Sequence, residues 1–318
     1  MVQANAKIAR FMPAVVVGIS LAALAAPAMS AEPPAVAPSA FAEPVTPGDL
    51  VSYQRGTLPI ILSAPHGGGV RVPGSLERTA GVAGVVTVRD SNTDRLAWLV
   101  AQRLTERLGA KPFVVVAQFS RKDADANRAA GNAFENDAAK RHYDAYHRAL
   151  RSAVDEVRAA FPAGILIDLH GQARFPEAVV RGTRNGATVK RLLTRHGPEA
   201  VVGPKSLMGL LARKGHTVMP TPDDGMVPRA VPDEPQDAAA GDAGRADFNP
   251  ALGFERYFNG GFIVANYGSQ HDDGLDAIQL EIGEQRKPEQ IWVFARELAD
   301  AIADFAKEYV LDEEAKKP

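Results

Sequence analysis

The sequence predicts an α/β protein, a single domain in which a mostly parallel or mixed central sheet is flanked by helices. Three observations carry that expectation. Short apolar runs alternate with longer segments of helical periodicity. The chain has 318 residues, 46% of them hydrophobic, which is enough for one large α/β core. No internal repeat breaks the pattern.

Residues 1–30 come first. Lys7 and Arg10 precede the apolar stretch "FMPAVVVGISLAALAAPA", and the small residues "AMS" lie just before Ala31. That layout is a cleaved secretory signal and predicts a secreted or periplasmic protein. The apolar run is about as short as a bilayer span can be and contains Pro13 and Pro27, which argues against an uncleaved anchor. The mature protein is expected to be soluble, with no membrane partner. Residues 31–48 are rich in proline and alanine and predict an extended linker, leaving 49–318 as the catalytic domain.

Within that domain, the all-apolar start of residues 60–64 predicts a strand. Residues 93–108 carry Leu96, Leu99, Val100, Leu104 and Leu108 at helical spacing, and "FVVVAQF" at 113–119 predicts a second strand. A helix with Tyr143, Tyr146, Leu150, Val154 and Val157 along one side leads to a third strand at 165–169. Strand, helix, strand, helix, strand implies a parallel sheet covered on both faces. Helices are expected near 188–196 and 207–214. Residues 220–250, with six prolines and many acids, predict a long irregular loop of the kind that forms lids or specificity elements. "GGFIVANYG" and "AIQLEIG" read as late strands, and 290–309 as a closing amphipathic helix.

Composition excludes several functions. With 36 basic and 38 acidic residues the net charge is −2 and no basic stripe is present, so no nucleic-acid surface is expected and a small-molecule partner fits better. The absence of cysteine removes disulfides, thiolate ligands and thiol nucleophiles, so a metal must be held by His, Asp or Glu. No G-x-S-x-G elbow occurs, neither Ser63 nor Ser120 sits on a strand-to-helix nucleophile turn, and no phosphate loop is present.

In open α/β sheets the functional crevice lies outside the carboxyl ends of the strands. Here those ends carry His66 after "ILSAP", Arg121 after "AQFS", and Asp168 with His170 in "ILIDLH". The glycines following His66 are expected to leave backbone room for a ligand. His66 alone would read as a hydrogen-bonded structural residue. With His170 and a carboxylate at the start of the first helix, either Asp94 or Asp90, it supplies a two-histidine, one-carboxylate set suited to catalytic zinc. Asp94 is equally explained by the preference of acids for a helix first turn. Asp168 shares a face with His170 and either orients it from behind or caps the strand. Gln279 and Glu281 share a face of their strand, and Glu281 is either a rim charge or a general base. Arg121 and Arg128, flanking "KDADAN", would by themselves read as surface ion pairs. Tyr146 reads as a core aromatic, His271 as a loop residue, and His142, His196 and His216 as surface groups.

Taken together and in order, "SAPHGG", "DSNTDRLAWLVAQRL", "SRKDADANR", "YDAYHRAL", "LIDLHG", "GGFIVANYG" and "IQLEIG" resemble the N-formylglutamate amidohydrolase family over about residues 58–305. The resemblance implies a zinc carboxypeptidase-like fold and one zinc per chain. It also implies a metal-activated water attacking an amide beside a free carboxylate, in an N-acyl (N-formyl-like) amino acid or short peptide. It makes Glu281 the base and Arg121 the oxyanion stabiliser, with Asn127 and Arg128 gripping the substrate carboxylate. The sequence departs from the family at Gly171, where a serine is usual, and Gly69 stands where carboxypeptidases place an acid three residues after the first histidine. "HGGG", a later histidine and a late strand glutamate also resemble N-acetylmuramoyl-L-alanine amidases of the cell wall. A noncatalytic binding protein on the same fold is a third reading, against which the joint retention of His66, His170, Arg128 and Glu281 counts.

Overall fold

The computed structural model describes residues 44–79, 85–221, 250–283 and 290–311. The expected signal segment, most of the linker and nearly all of the 220–250 loop lie outside these residues.

Seven strands form one mixed sheet: β1 (Val51–Gln54), β2 (Ile60–Ala64), β3 (Phe113–Ala117), β4 (Ile165–Gln172), β5 (Ala178–Gly182), β6 (Thr217–Met219) and β7 (Asp276–Gly283), in the spatial order β1-β3-β2-β4-β7-β5-β6. Strands β3, β2, β4 and β7 are parallel; β1 is antiparallel to β3, and β5, parallel to β6, is antiparallel to β7. The central strands are apolar on both sides because both faces are covered. The helices are α1 (Thr93–Leu108), α2 (Asp137–Ala160), α3 (Lys190–His196), α4 (Glu199–Val202), α5 (Leu207–Arg213), α6 (Phe262–Tyr267) and α7 (Ile291–Ala306). Alternate strand residues divide between two cores. Ile60, Leu62, Ile167 and Leu280 pack with Leu96 and Leu104 of α1, Leu211 of α5 and Leu298 of α7. Ile61, Val115, Leu166 and Ala277 pack with Tyr146, Leu150 and Val154 of α2 and Ile263 of α6.

From β2 the chain crosses through α1 to β3 on one side, then through α2 to β4 on the other. The strand order therefore reverses at β2, and the crevice opens at its carboxyl end. His66 stands there.

Three expectations change. The stretch "GGFIVANYG" contains a helix, α6, not a strand. A six-residue apolar run between glycines has no decisive periodicity. Here Ile263, Val264 and Tyr267 turn inward together, and the Ile263 amide donates to Asn127 Oδ1 at 2.8 Å. His142 is buried rather than exposed, its Nδ1 accepting from the Leu50 amide at 3.1 Å.

The glycines after His66 also serve a different purpose. A Cβ on Gly67 would collide with the backbone amide of Asp94, and one on Gly68 with the carbonyl of Gln118. They let the strand end press against the start of α1 and the end of β3. Among the described residues no helix is long and apolar enough to cross a membrane.

Gly67→Ala forces backbone apart at a packed junction, and overpacking of this kind costs about 1–3 kcal/mol. Chemical denaturation should show that loss, whereas a change within a few tenths of a kcal/mol would contradict the packing role.

Candidate active site

His66 follows β2 by two residues, and His170 lies in β4, so adjacent parallel strands deliver both rings to one place, 4.8 Å apart between centroids. The loop before α1 supplies Asp90. Its amide donates to the His66 carbonyl at 3.1 Å, and its own carbonyl accepts from the Thr93 hydroxyl at 3.0 Å, which fixes it at the helix start. Asp90 Oδ2 then lies 3.2 Å from His66 Nδ1 and 3.1 Å from His170 Nδ1, and it accepts from the Gly171 amide at 3.2 Å.

The far side of each ring is also committed. His66 Nε2 faces Asp125 Oδ1 at 2.7 Å, and His170 Nε2 faces Asp168 Oδ2 at 2.8 Å. A carboxylate there accepts from Nε2–H, while each Nδ1, with Asp90 Oδ2 facing it, donates to that oxygen when protonated and offers its lone pair to a cation when the proton is displaced. Both carboxylates are themselves held. Ser63 Oγ donates to Asp168 Oδ1 at 2.6 Å; Arg121 Nε and Arg78 Nη1 donate to Asp125 Oδ2 at 2.9 and 3.3 Å.

The parallel register of β4 and β7 pairs Asp168 with Gln279 and His170 with Glu281. Glu281 therefore shares the sheet face of His170, one strand away, and accepts from Gln279 Nε2 at 2.9 Å. Burial pushes its carboxyl up to about 7, with Asp90 and Asp168 adding to the effect and His170 and Arg121 opposing it. Burial also works against charge on His170, but Asp168, Asp90 and Glu281 outweigh it and hold that imidazole well above its ordinary range. Asp90 moves the other way. Its burial is overcome by the two histidines, which keep it far below the usual carboxylate range. Asp125, buried against Arg121 and His66, is likewise held low.

His66, Asp90 and His170 bring three ligand atoms within 4.8 Å of one another, all three residues buried. With their Nδ1 protons displaced, two imidazole nitrogens and a carboxylate oxygen converge as acceptors on one point, where a cation can take the protons' place. That donor set fits zinc, which takes nitrogen and oxygen ligands and keeps an open position in catalytic sites. Asp90, not Asp94, occupies the carboxylate place. Asp94 turns outward to Arg89 Nη2 at 3.3 Å with 35% of its side chain exposed, against 7% for Asp90.

Among solved structures, the chain is similar to a crystal structure of N-formylglutamate amidohydrolase from Ralstonia eutropha JMP134. It aligns with 82% of this chain and 98% of its own, at 17% identity and a TM-score of 0.52. The two chains share a fold. A gene product from Agrobacterium tumefaciens (15% identity, 82% and 96% coverage, TM-score 0.44) and the CwlD amidase from Clostridioides difficile, solved with the GerS lipoprotein (12% identity, 79% and 98% coverage, TM-score 0.28), are more distant. No protein-family model matches the chain, and no curated protein sequence does.

The other expected residues gather around the same centre. Arg121 is buried, and besides Asp125 its Nη1 reaches Asp90 Oδ1 and the Val88 carbonyl, each at 3.4 Å. Asn127 is fixed by the amide of Ile263, which leaves its Nδ2 3.3 Å from His170 Nε2. Arg128 is buried beside it and donates through Nη1 to the Asn127 carbonyl at 3.0 Å. His271 lies on an exposed turn and bonds the Ala265 carbonyl at 2.9 Å. Two further residues at this centre carry no mark in the sequence: Asp125 is one of several polar residues in "KDADAN", and Arg78 has no motif around it.

The raised carboxyl of Glu281 sets a pH dependence. A group that binds its proton more tightly when folded favours the native state below its ordinary value, here 4.5, and that advantage is lost as pH rises toward about 7. Chelator-treated Glu281→Gln should therefore match wild type near pH 4.5. It should exceed it by about 3 kcal/mol above pH 7.5, at ~1.4 kcal/mol per pH unit. Denaturation curves at both pH values check this, and equal stability at the higher pH would contradict it.

Proposed function

We propose that the chain is a zinc-dependent amidohydrolase, one zinc per chain, acting on N-acyl amino acids or short peptides that carry a free carboxylate. The observation that supports this reading most is the convergence of His66 Nδ1, His170 Nδ1 and Asp90 Oδ2 beside the buried carboxyl of Glu281 on one sheet face. The residues that would hold the metal are His66, Asp90 and His170. A zinc ion bound there supplies Lewis acidity toward an amide carbonyl and toward water.

The protein groups do the rest. Asp125 and Asp168 lock the two imidazoles by accepting from Nε2, so the ligand nitrogens are aimed before anything binds. Glu281 accepts a proton from the attacking water and returns it to the departing amine nitrogen, a cycle suited to a carboxyl poised near neutrality. Arg121 is held at the floor through Nε and Nη1, and its Nη2 edge is the donor we assign to charge developing on the carbonyl oxygen. Asn127 Nδ2 and the Arg128 guanidinium grip the substrate carboxylate on the β4 side. Residues 1–30 would direct the enzyme out of the cytoplasm.

Purified protein should contain about one zinc per chain by metal analysis. Asp90→Ala, His66→Ala and His170→Ala should lose it, whereas Asp94→Ala should keep it. Full occupancy in the first three would remove the ligand assignment.

Glu281→Gln should retain zinc while turnover of an N-acyl amino acid falls roughly 10²–10⁴-fold. A rate within a few-fold of wild type would show that Glu281 is not the base.

A further inference from the structure

A second feature occupies the same sheet face. Register places Glu281 of β7 opposite Val180 of β5, and Val180 opposite Met219 of β6. His170, Glu281, Val180 and Met219 thus form one row across four neighbouring strands, side chains on a common face. Strands lie about 4.8 Å apart, so Met219 is on the order of 10 Å from Glu281 along the sheet.

Over the far end of this row lies a cavity of about 230 Å³, lined by Val180, Met219, Pro220, Phe254, Arg256 and Tyr257. Glu255 also borders it, but that carboxylate is consumed internally. It accepts from Arg181 Nε at 2.8 Å, from the Thr183 hydroxyl and amide at 2.6 and 2.7 Å, and from the Asn185 amide at 2.8 Å. Phe175 packs edge-on against Tyr257 at 5.0 Å, and the Arg174 guanidinium stacks over Tyr257 at 4.4 Å, so that wall is braced. Besides Arg256, what remains facing the space is mostly hydrocarbon and aromatic surface. The volume is smaller than the roughly 300–1,000 Å³ that encloses a whole ligand, so it suits one arm of a ligand.

Which arm follows from the order of residues. Asn127 stands beside His170, at the opposite end of the row from the cavity. A substrate laid along the row with its amide over His170 and Glu281 directs its carboxylate toward Asn127 and Arg128, and its acyl group toward Val180 and Met219. We infer that the cavity between β5, β6 and residues 254–257 is an acyl subsite for an apolar group of several carbons, aliphatic or aryl. This inference rests on the amidohydrolase reading and narrows its substrate class away from the formyl group.

The test is a series of N-acyl-L-glutamates: formyl, acetyl, butanoyl, hexanoyl and phenylacetyl. Wild-type kcat/KM should rise roughly 10²- to 10³-fold from formyl to hexanoyl, since each of the five added carbons contributes about a few-fold when buried in a fitted pocket. Met219→Trp and, independently, Val180→Phe should flatten or reverse the series, whereas Met219→Ala should move the optimum toward the larger acyl groups. A flat series or a preference for formyl in wild type overturns the acyl subsite while leaving the amidohydrolase reading intact. If no member is turned over, that reading fails, and calorimetry with free hexanoate then decides the cavity on its own. Saturable binding weakened by Met219→Trp or Val180→Phe supports it, and no binding overturns it.

Discussion

Two imidazoles whose Nε2–H groups donate to carboxylates both turn Nδ1 to the same oxygen of Asp90. Much of the molecule exists to make that meeting possible. Parallel pairing of β2 and β4 sets the two histidines side by side. Gly67 and Gly68 let the turn after β2 approach α1 and β3 closely enough for Asp90 to hydrogen-bond the His66 carbonyl. Gly171, where a Cβ would already touch Asp90, donates its amide to the same carboxylate oxygen.

The surrounding charges are arranged to make this concentration of carboxylates tolerable. Buried acids are costly unless paired and hydrogen-bonded. Asp125 receives Arg121 and Arg78, and Asp168 receives Ser63 and His170. Arg121 bridges Asp125 and Asp90, tying the support of one histidine to the carboxylate between both. Among the described residues Glu281 accepts from the Gln279 amide alone, and within this cluster it is the carboxyl whose burial wins.

The legible part of this design was the part carried by periodicity and strand ends. The apolar runs of β2, β3 and β4 and the spacing of α1 and α2 disclosed the sheet and its two covers; His66 and His170 follow from the ends of β2 and β4, and Glu281 from alternation along β7 together with the family resemblance. Antiparallel β1 and β5 were not legible, since a four- or five-residue strand has no local mark of direction. Helix α6 was misread because its conformation is decided by Asn127, over a hundred residues earlier in the chain. Asp94 and Asp90 could not be separated by sequence, because both open the same helix. Only the loop path, turning Asp90 inward to the His66 carbonyl, distinguishes them. Asp125 was hidden for the same reason: its neighbours Asp123 and Lys122 look alike in a polar stretch, yet Asp123 serves Arg71 and Ser75 instead.

The centre is drawn from chain positions of very different separation. Asp90 is a local partner of His66, joined through one loop, whereas His170 arrives only after α1, β3 and α2 have been traversed and β4 has docked on β2. Closing so long a segment is slow compared with forming a helix or a turn. During synthesis the first two groups can meet early, but the third completes the cluster only when the middle of the sheet is zipped. An intermediate lacking β4 therefore holds only His66 and Asp90 together, and Glu281 joins them only after β7 has in turn docked on β4.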